Sequence, residues 1–276
     1  MSDLRALDAA TPLLECPVCR ARGASEVPLE RQERQLRCPN GHSFDIARQG
    51  YVNLAAGAPP ANADTSAMID ARDRFLTSGV YEPIRQAISD VSGSARSIVE
   101  VGAGTGWYLQ GVLQQRPQAV GLATDVSVAA TRRAARAGLA AVVADTWAGL
   151  PICTGVVDAL LCVFAPRNAA EFSRLLSPGG AVVVAWPTPR HLASLRSRLG
   201  LLTVASDKEE QLGAQFTEAG LVSAEHQLVE FSAECTAQQV ADLVAMGPNA
   251  FHEHAPTCEP ATIDVSVEIG AFVTAR

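Results

Sequence analysis

From Ser97 the chain alternates short apolar runs with amphipathic stretches: SIVEV, GWYLQGVLQ, AVGLATD, VAATRRAARAG, AAVVAD, VVDALLCVF, NAAEFSRLLS and GGAVVVAW. Runs that are apolar on both faces, each followed by a helical pattern, bury best as parallel strands covered by helices on both sides. The fold class is therefore α/β, with a doubly wound sheet. Further on, QQVADLVAM has helical spacing, and IDVSVEIGAFV alternates well enough to be a late antiparallel edge strand. With 276 residues and 48% hydrophobic side chains, the chain has ample material for a packed core, which excludes a mainly disordered protein. No run reaches the ~18 apolar residues of a membrane span, and MSDLRALDAA carries no apolar signal core. The expectation is a soluble, cytoplasmic protein with no membrane partner.

Ahead of this pattern, residues 13–55 are rich in Cys, Arg and Gln, and AGAPPANA at 56–63 reads as a linker. Two prolines among small residues cannot continue an element. MIDARDRFLTSGVYEPIRQAISDV then repeats apolar residues at helical spacing, broken at Ser78-Gly79 and Pro83. This predicts two helices joined by a tight turn, with Tyr81 at the joint.

Cys16-Pro-Val-Cys19 and Cys38-Pro-Asn-Gly-His42 have the spacing C-x2-C-x18-C-x3-H. Each pair can close on one ion through a tight turn, and the pairs converge if the intervening residues form a hairpin. Three thiolates and an imidazole fill a tetrahedral shell, so Zn2+ here is structural, and so short a segment owes much of its folding free energy to it. The alternative is chance spacing of buried cysteines and a surface histidine. Seven cysteines, three of them clustered beside a histidine, fit metal ligation better than a disulfide framework. Cys153, Cys162, Cys235 and Cys258 read as small core or surface residues.

Glu100-Val-Gly102-Ala-Gly104-Thr105-Gly106 follows the first apolar run and opens a helical pattern. Glycines let the backbone pass close to a ligand, and free amides at a helix start favour a negative or strongly polar group. G-x-G-x-G is not the G-x-G-x-x-G of a dinucleotide site. Glu100 before the glycines and Asp125 at the end of the second strand suit a nucleoside such as S-adenosylmethionine. Asp125 can accept both ribose hydroxyl hydrogens, and Asp145 lies where the adenine edge would fall. The plainer alternative is a tight strand-to-helix turn with a capping Asp.

A net charge of −7 argues at first against a nucleic-acid partner. The charge is unevenly spread, however: residues 1–206 carry 20 basic and 17 acidic side chains, whereas 207–276 carry Lys208 and Arg276 against 12 acids. Between Ala159 and Ser206 Glu171 is the only acid, against Arg167, Arg174, Arg190, Arg196 and Arg198. A polyanion could dock there without repulsion; a solvated face is the alternative. The acidic end is expected to face away from RNA, toward solvent or a dimer partner.

Six motifs in order, CPVC, CPNGHSFDIARQGYVNL, MIDARDRFLTSGVYEPI, VEVGAGTG, VFAPRNAAEFSRLLSPGGAVVVAWPTPRHL and VAMGPNAFH, span about residues 14 to 254. Together they resemble the RlmA family of 23S rRNA (guanine-N1)-methyltransferases, and most nearly the branch that confers resistance to tylosin-type macrolides. The resemblance implies a class I, Rossmann-like S-adenosylmethionine-dependent methyltransferase with a small N-terminal zinc-binding module. It also implies a homodimer and, as substrate, a guanine in the hairpin 35 loop of 23S rRNA. By the same resemblance Cys16, Cys19, Cys38 and His42 are zinc ligands, and Tyr81, Gly104, Thr105 and His191 contact the cofactor. Tyr81 could instead only cap a helix joint, and His191 could be a surface histidine. The sequence departs from the family at Cys162, where polar residues are common. Residues 16–50 carry six Arg and four acids, which weakens this module as a phosphate clamp. The expected division is 1–55 zinc-binding RNA-recognition module, 56–95 linker and helical region, and 96–276 methyltransferase domain.

Methylation at guanine N1 is an in-line attack on a sulfonium methyl, so the base must be unpaired or flipped and its N1 proton must leave. Ligands of doubly wound sheets bind at the carboxyl ends of the strands. Phe164 is therefore a candidate to stack on the base, Asn168 or the carbonyls of Ala165 and Pro166 to read its edge, and Arg167 to hold O6 or a phosphate. His252 and His254 are further candidates as proton acceptors. Alternatively, FAPRN is only a strand end, a proline turn and a helix cap at Asn168. Two other functions fit the sequence: a small-molecule methyltransferase of the same fold in a biosynthetic pathway, and a zinc-bearing RNA-binding protein whose methyltransferase domain is vestigial.

Overall fold

The computed structural model describes residues 3–55, 57, 63–202, 208–247 and 258–275. Most of the linker expected at 56–63, together with His252 and His254, lies outside the described residues.

The N-terminal segment folds as α1 (Arg5–Ala10), α2 (Pro17–Ala21), β1 (Glu30–Gln32), β2 (Gln35–Arg37), β3 (Ser43–Asp45) and β4 (Val52–Asn53). β1, β2 and β3 form a small antiparallel sheet, which supplies the hairpin that the two ligand pairs require. Two helices follow where the spacing predicts them, α3 (Ser66–Thr77) and α4 (Glu82–Val91). The Thr65 side chain caps α3 by accepting from the Met68 amide, and Pro83 sits in the first turn of α4, where a missing N–H costs nothing.

The remainder runs β5 (Ser97–Val101), α5 (Trp107–Gln115), β6 (Val120–Asp125), α6 (Val128–Arg136), β7 (Ala140–Val143), β8 (Val157–Val163), α7 (Ala169–Leu175) and β9 (Leu176–Pro187). After these come α8 (Ala193–Leu199), α9 (Lys208–Glu218), β10 (Leu221–Cys235), α10 (Ala237–Ala245) and β11 (Ala261–Thr274). The main sheet has the order β10-β11-β9-β8-β5-β6-β7-β4. From β4 to β9 neighbouring strands are parallel. The chain leaves β5 in one direction to β6 and β7 and returns to its other side at β8. A crevice opens beyond the strand ends at such a switch point.

β11 is antiparallel, as expected, but it is not an edge strand: it lies between β9 and β10. Val265, Ser266 and Val267 are all buried, as are Ile269 to Phe272, so neither face of its centre meets water. β10 takes the edge and exposes Leu228, Glu230, Ser232 and Glu234 in alternation.

The core is continuous across the division expected at residue 55. Leu7, Leu14, Leu29 and Leu36 belong to the same buried cluster as Val99, Leu122, Val142 and Ile152. β4 pairs with β7, and Glu15 N–H donates to the Pro151 carbonyl while Cys153 N–H donates to that of Leu13. The metal-binding head is therefore built into the flank of the sheet.

Candidate functional site

Four ligand atoms, one each from Cys16, Cys19, Cys38 and His42, lie within 4.8 Å of one another. His42 Nδ1 is 3.6, 3.4 and 3.3 Å from the sulfurs of Cys16, Cys19 and Cys38, and the Cys19 and Cys38 sulfurs are 3.9 Å apart. A tetrahedron with Zn–S bonds of about 2.3 Å has sulfur–sulfur edges of about 3.8 Å, which the Cys19–Cys38 pair already matches. The chain arranges this locally. α2 begins at Pro17 and sets Cys19 one turn beyond Cys16, while Gly41, at φ +86°, turns the chain back so that His42 faces Cys38. Asn40 Nδ2 donates to the Cys19 sulfur at 3.3 Å.

A cavity of about 730 Å3 lies beyond the carboxyl ends of β5, β6 and β8, bordered also by Met68 and Arg72 of α3 and by Leu243 of α10. Its floor is the glycine turn. Gly102, Gly104 and Gly106 have φ of +60°, +56° and +76°, a region that disfavours any Cβ. At Gly102 a Cβ would also come within 2.6 Å of that of Ala165. Gly104 N–H donates to Asp125 Oδ2 at 2.8 Å, and Ser127 N–H donates to Oδ1 at 2.7 Å. Each carboxylate oxygen keeps a lone pair, so Asp125 can still accept from two hydroxyls. Burial pushes its pKa up in spite of those two amides. Glu100, beneath the turn, is buried and accepts from Leu109 N–H at 3.1 Å. Burial raises its pKa to about 8, the Leu109 amide opposing and the Asp125 charge adding to the rise.

Aromatic side chains gather in the same region. Phe164 stacks on His191 with 6.2 Å between ring centres and lies 6.5 and 6.4 Å from Tyr81 and Tyr108. Phe164 has φ +53°, strained for a residue with a Cβ, and is 40% exposed. Ser266 N–H donates to His191 Nδ1, which leaves the neutral ring's proton on Nε2, 3.3 Å from Tyr81 Oη. With Nε2–H donating to it, the Tyr81 oxygen keeps its own hydrogen to offer elsewhere. Burial, with Arg196 nearby, lowers the His191 pKa to about 4, so the ring is neutral at neutral pH.

The family model for the N-terminal part of RlmA matches residues 14–56. A Micromonospora griseorubida protein assigned as a 23S rRNA (guanine-N1)-methyltransferase is 41% identical over 297 residues, covering 95% of this chain and 97% of its own. The Streptomyces fradiae 23S rRNA (guanine(748)-N1)-methyltransferase is 40% identical over 252 residues, covering 87% and 86%. The chain belongs to the RlmA family of 23S rRNA (guanine-N1)-methyltransferases. The fold agrees. A methyltransferase from a complex with the Trm112 activator of Haloferax volcanii superposes with a TM-score of 0.52 at 17% identity, covering 79% of this chain and all of that one.

The cofactors of this RlmA-family chain are S-adenosylmethionine and a structural Zn2+, and the residues present fit both. The turn is open to a ligand backbone, Asp125 has acceptor capacity left, and the cavity lies within the usual range of about 300–1,000 Å3 for small-molecule sites. Tyr81, Glu100, Gly102, Gly104, Asp125, Asp145, Phe164 and His191 border it, as do Ala165 and Pro166. Thr105 and Gly106 stand behind the turn at the start of α5 and are not among its lining. Neither are Arg167 and Asn168. Asn168 caps α7, accepting from Glu171 N–H at 3.3 Å, and its Nδ2 donates to the Thr146 carbonyl at 2.9 Å. Arg167 is half-buried, burial lowers its pKa, and its Nε has no hydrogen-bond partner among the described residues.

Sequence reasoning missed Arg72, Tyr108 and Trp147, which also border the cavity. Arg72 pairs with Asp64 at 2.5 Å, donates to the Met246 carbonyl at 2.7 Å and lies against Gly104. Inside MIDARDRFL it reads as one more charge on a solvated helix face. Trp147, a large aromatic in the short polar stretch DTWAG, did carry a signal.

Proposed function

We propose that the chain transfers the methyl group of S-adenosylmethionine to N1 of a guanine in the hairpin 35 loop of 23S rRNA, as a cytoplasmic homodimer, and that this modification confers resistance to tylosin-type macrolides. The observation that carries this reading is the 40% identity to the Streptomyces fradiae enzyme, named for guanine 748, across 86% of that enzyme's length. When bound, S-adenosylmethionine supplies an electrophilic methyl on a sulfonium.

In this reading Asp125 holds the ribose hydroxyls, Asp145 borders the adenine, and the Gly102–Gly106 turn passes close to the amino-acid end. Tyr81, oriented by His191, offers its hydroxyl hydrogen to the same ligand. Phe164 presents a face for the guanine, and the Ala165–Pro166 turn lies beside its edge, although both carbonyls already accept from the buried Cys162 thiol at 3.6 Å. Asn168 holds that turn in place, and Arg167 is available to a phosphate or to O6. The chain's own contribution would be to align a desolvated base, with the N1 proton passing to water. Residues 1–55 serve as the RNA-recognition module, 56–95 as linker and helical region, and 96–276 as the methyltransferase domain.

Mass mapping of 23S rRNA from cells with and without the protein tests this. The expected result is one guanine bearing an added methyl only when the protein is present. An unmodified rRNA, with methyl found instead in a low-molecular-weight acceptor, would favour a biosynthetic enzyme of the same fold.

A further inference from the structure

The chain has three tryptophans, and they are not alike. Trp107 and Trp186 are 7% and 3% exposed, whereas Trp147 is 65% exposed on the rim of the cavity. An exposed indole is unremarkable on a loose loop, but this one stands on a pinned backbone. Trp147 N–H donates to Asp145 Oδ1 at 2.9 Å, and the preceding carbonyl, that of Thr146, accepts from Asn168 Nδ2 at 2.9 Å. Asn168 ends the turn that begins at Phe164, among the described residues the other exposed aromatic bordering this cavity. One hydrogen bond thus ties together the two loops that hold aromatic rings at its mouth.

We infer that Trp147 is a stacking platform for an RNA base at the entrance to the cavity. The inference rests on the RNA reading above and adds a residue and a contact to it. Every base has a π-face, and unpaired bases are commonly held on aromatic rings, which gain area without demanding a hydrogen-bond code. A ring open to solvent on a fixed loop is suited to a partner that arrives from solution. The cofactor's adenine is the other purine within reach, but it belongs deeper, beside Asp125 and Asp145.

The test uses the full-length zinc-loaded protein, a synthetic RNA hairpin carrying the hairpin 35 loop, and the variants Trp147→Ala and Trp147→Phe. The RNA should quench tryptophan emission of the wild type, and that quenching should be lost in both variants. Trp147→Ala should weaken RNA binding at least about fivefold, the smaller end of what one lost stacking contact costs, whereas Trp147→Phe should stay within about threefold of wild type. S-adenosylmethionine affinity, zinc content and thermal midpoint should be unchanged in both. Equal RNA affinity in Trp147→Ala and wild type overturns this inference alone. So does a loss of S-adenosylmethionine affinity with RNA binding intact, which would make the indole a wall for adenine. A wild type that neither binds nor methylates RNA overturns the RNA reading and this inference with it.

Discussion

Arg20, which follows the zinc ligand Cys19, grips both carboxylate oxygens of Glu171, its Nη2 lying 3.2 and 3.1 Å from them. Its Nη1 donates to Glu15 at 2.6 Å, and Arg174 closes the group, 2.8 Å from Glu171 and 3.6 Å from Glu15. Burial alone would raise the pKa of Glu171, but hydrogen bonding and charge from Arg174, with Arg20 adding, hold it below the usual carboxylate range. Glu171 also accepts from Leu150 N–H at 2.7 Å. It is the third residue of α7, the helix that Asn168 caps. The metal site and the turn that starts at Phe164 are therefore linked through one buried ion cluster.

Removing Arg20 leaves two buried carboxylates to share Arg174. Arg20→Ala should cost about 1–3 kcal/mol, an unpaired buried acid being worth more than the exposed pairs elsewhere on the surface. In thermal unfolding with zinc present, that corresponds to a midpoint lower by roughly 3–10 °C. An unchanged midpoint would show that the cluster adds nothing.

Chelation should release one zinc per chain. Hydrogen exchange should then rise first in the family-matched residues 14–56, because the metal is what joins the two turns that carry Cys16, Cys19, Cys38 and His42. Loss of Zn2+ with unaltered protection of that segment would contradict a structural role.

Glu100 gives a pH signature. Its folded pKa, about 8, lies above its unfolded value near 4.5, so the folded state binds the extra proton between them. Its contribution to stability is whole below about pH 4.5 and is lost as pH rises toward 8. Glu100→Gln should flatten that decline, read as unfolding free energy from pH 5 to 8. His191 acts in the opposite sense. With its pKa lowered to about 4 from 6.5, it takes stability away as pH falls between those values. An identical pH profile in wild type and Glu100→Gln would remove Glu100 as the cause.

Asn168→Ala removes both the α7 cap and the tie to Thr146. A cap is worth about 0.5–2 kcal/mol. Turnover should fall while S-adenosylmethionine affinity stays nearly intact, since Asn168 does not line the cavity. Wild-type kcat in a folded variant would end any role for it in placing the base.

The parallel sheet, the zinc set and the glycine turn were legible because each rests on local pattern: runs apolar on both faces, paired ligands at turn spacing, and glycines where φ is positive. What was not legible depends on partners distant in sequence. The arginines of 159–206 look like an open basic face, yet Arg174 is bound to Glu171 and Glu15, and Arg190 to Glu230 at 2.6 Å. The alternation in β11 suggests an edge, but β10 covers it. Asn168 could be read as a base contact or a cap, and the cap is what its hydrogen bonds show; Arg72 and Trp147 acquire meaning only once folding brings them to the cavity.

The most direct test is methyl transfer from labelled S-adenosylmethionine to 23S rRNA by the purified zinc-loaded chain, followed by primer extension across hairpin 35. Label in the RNA and a single new reverse-transcription stop at a loop guanine are expected, as methylation of N1 blocks base pairing. Label that enters no RNA, or RNA methylated with no stop there, would contradict transfer to guanine N1 in that loop.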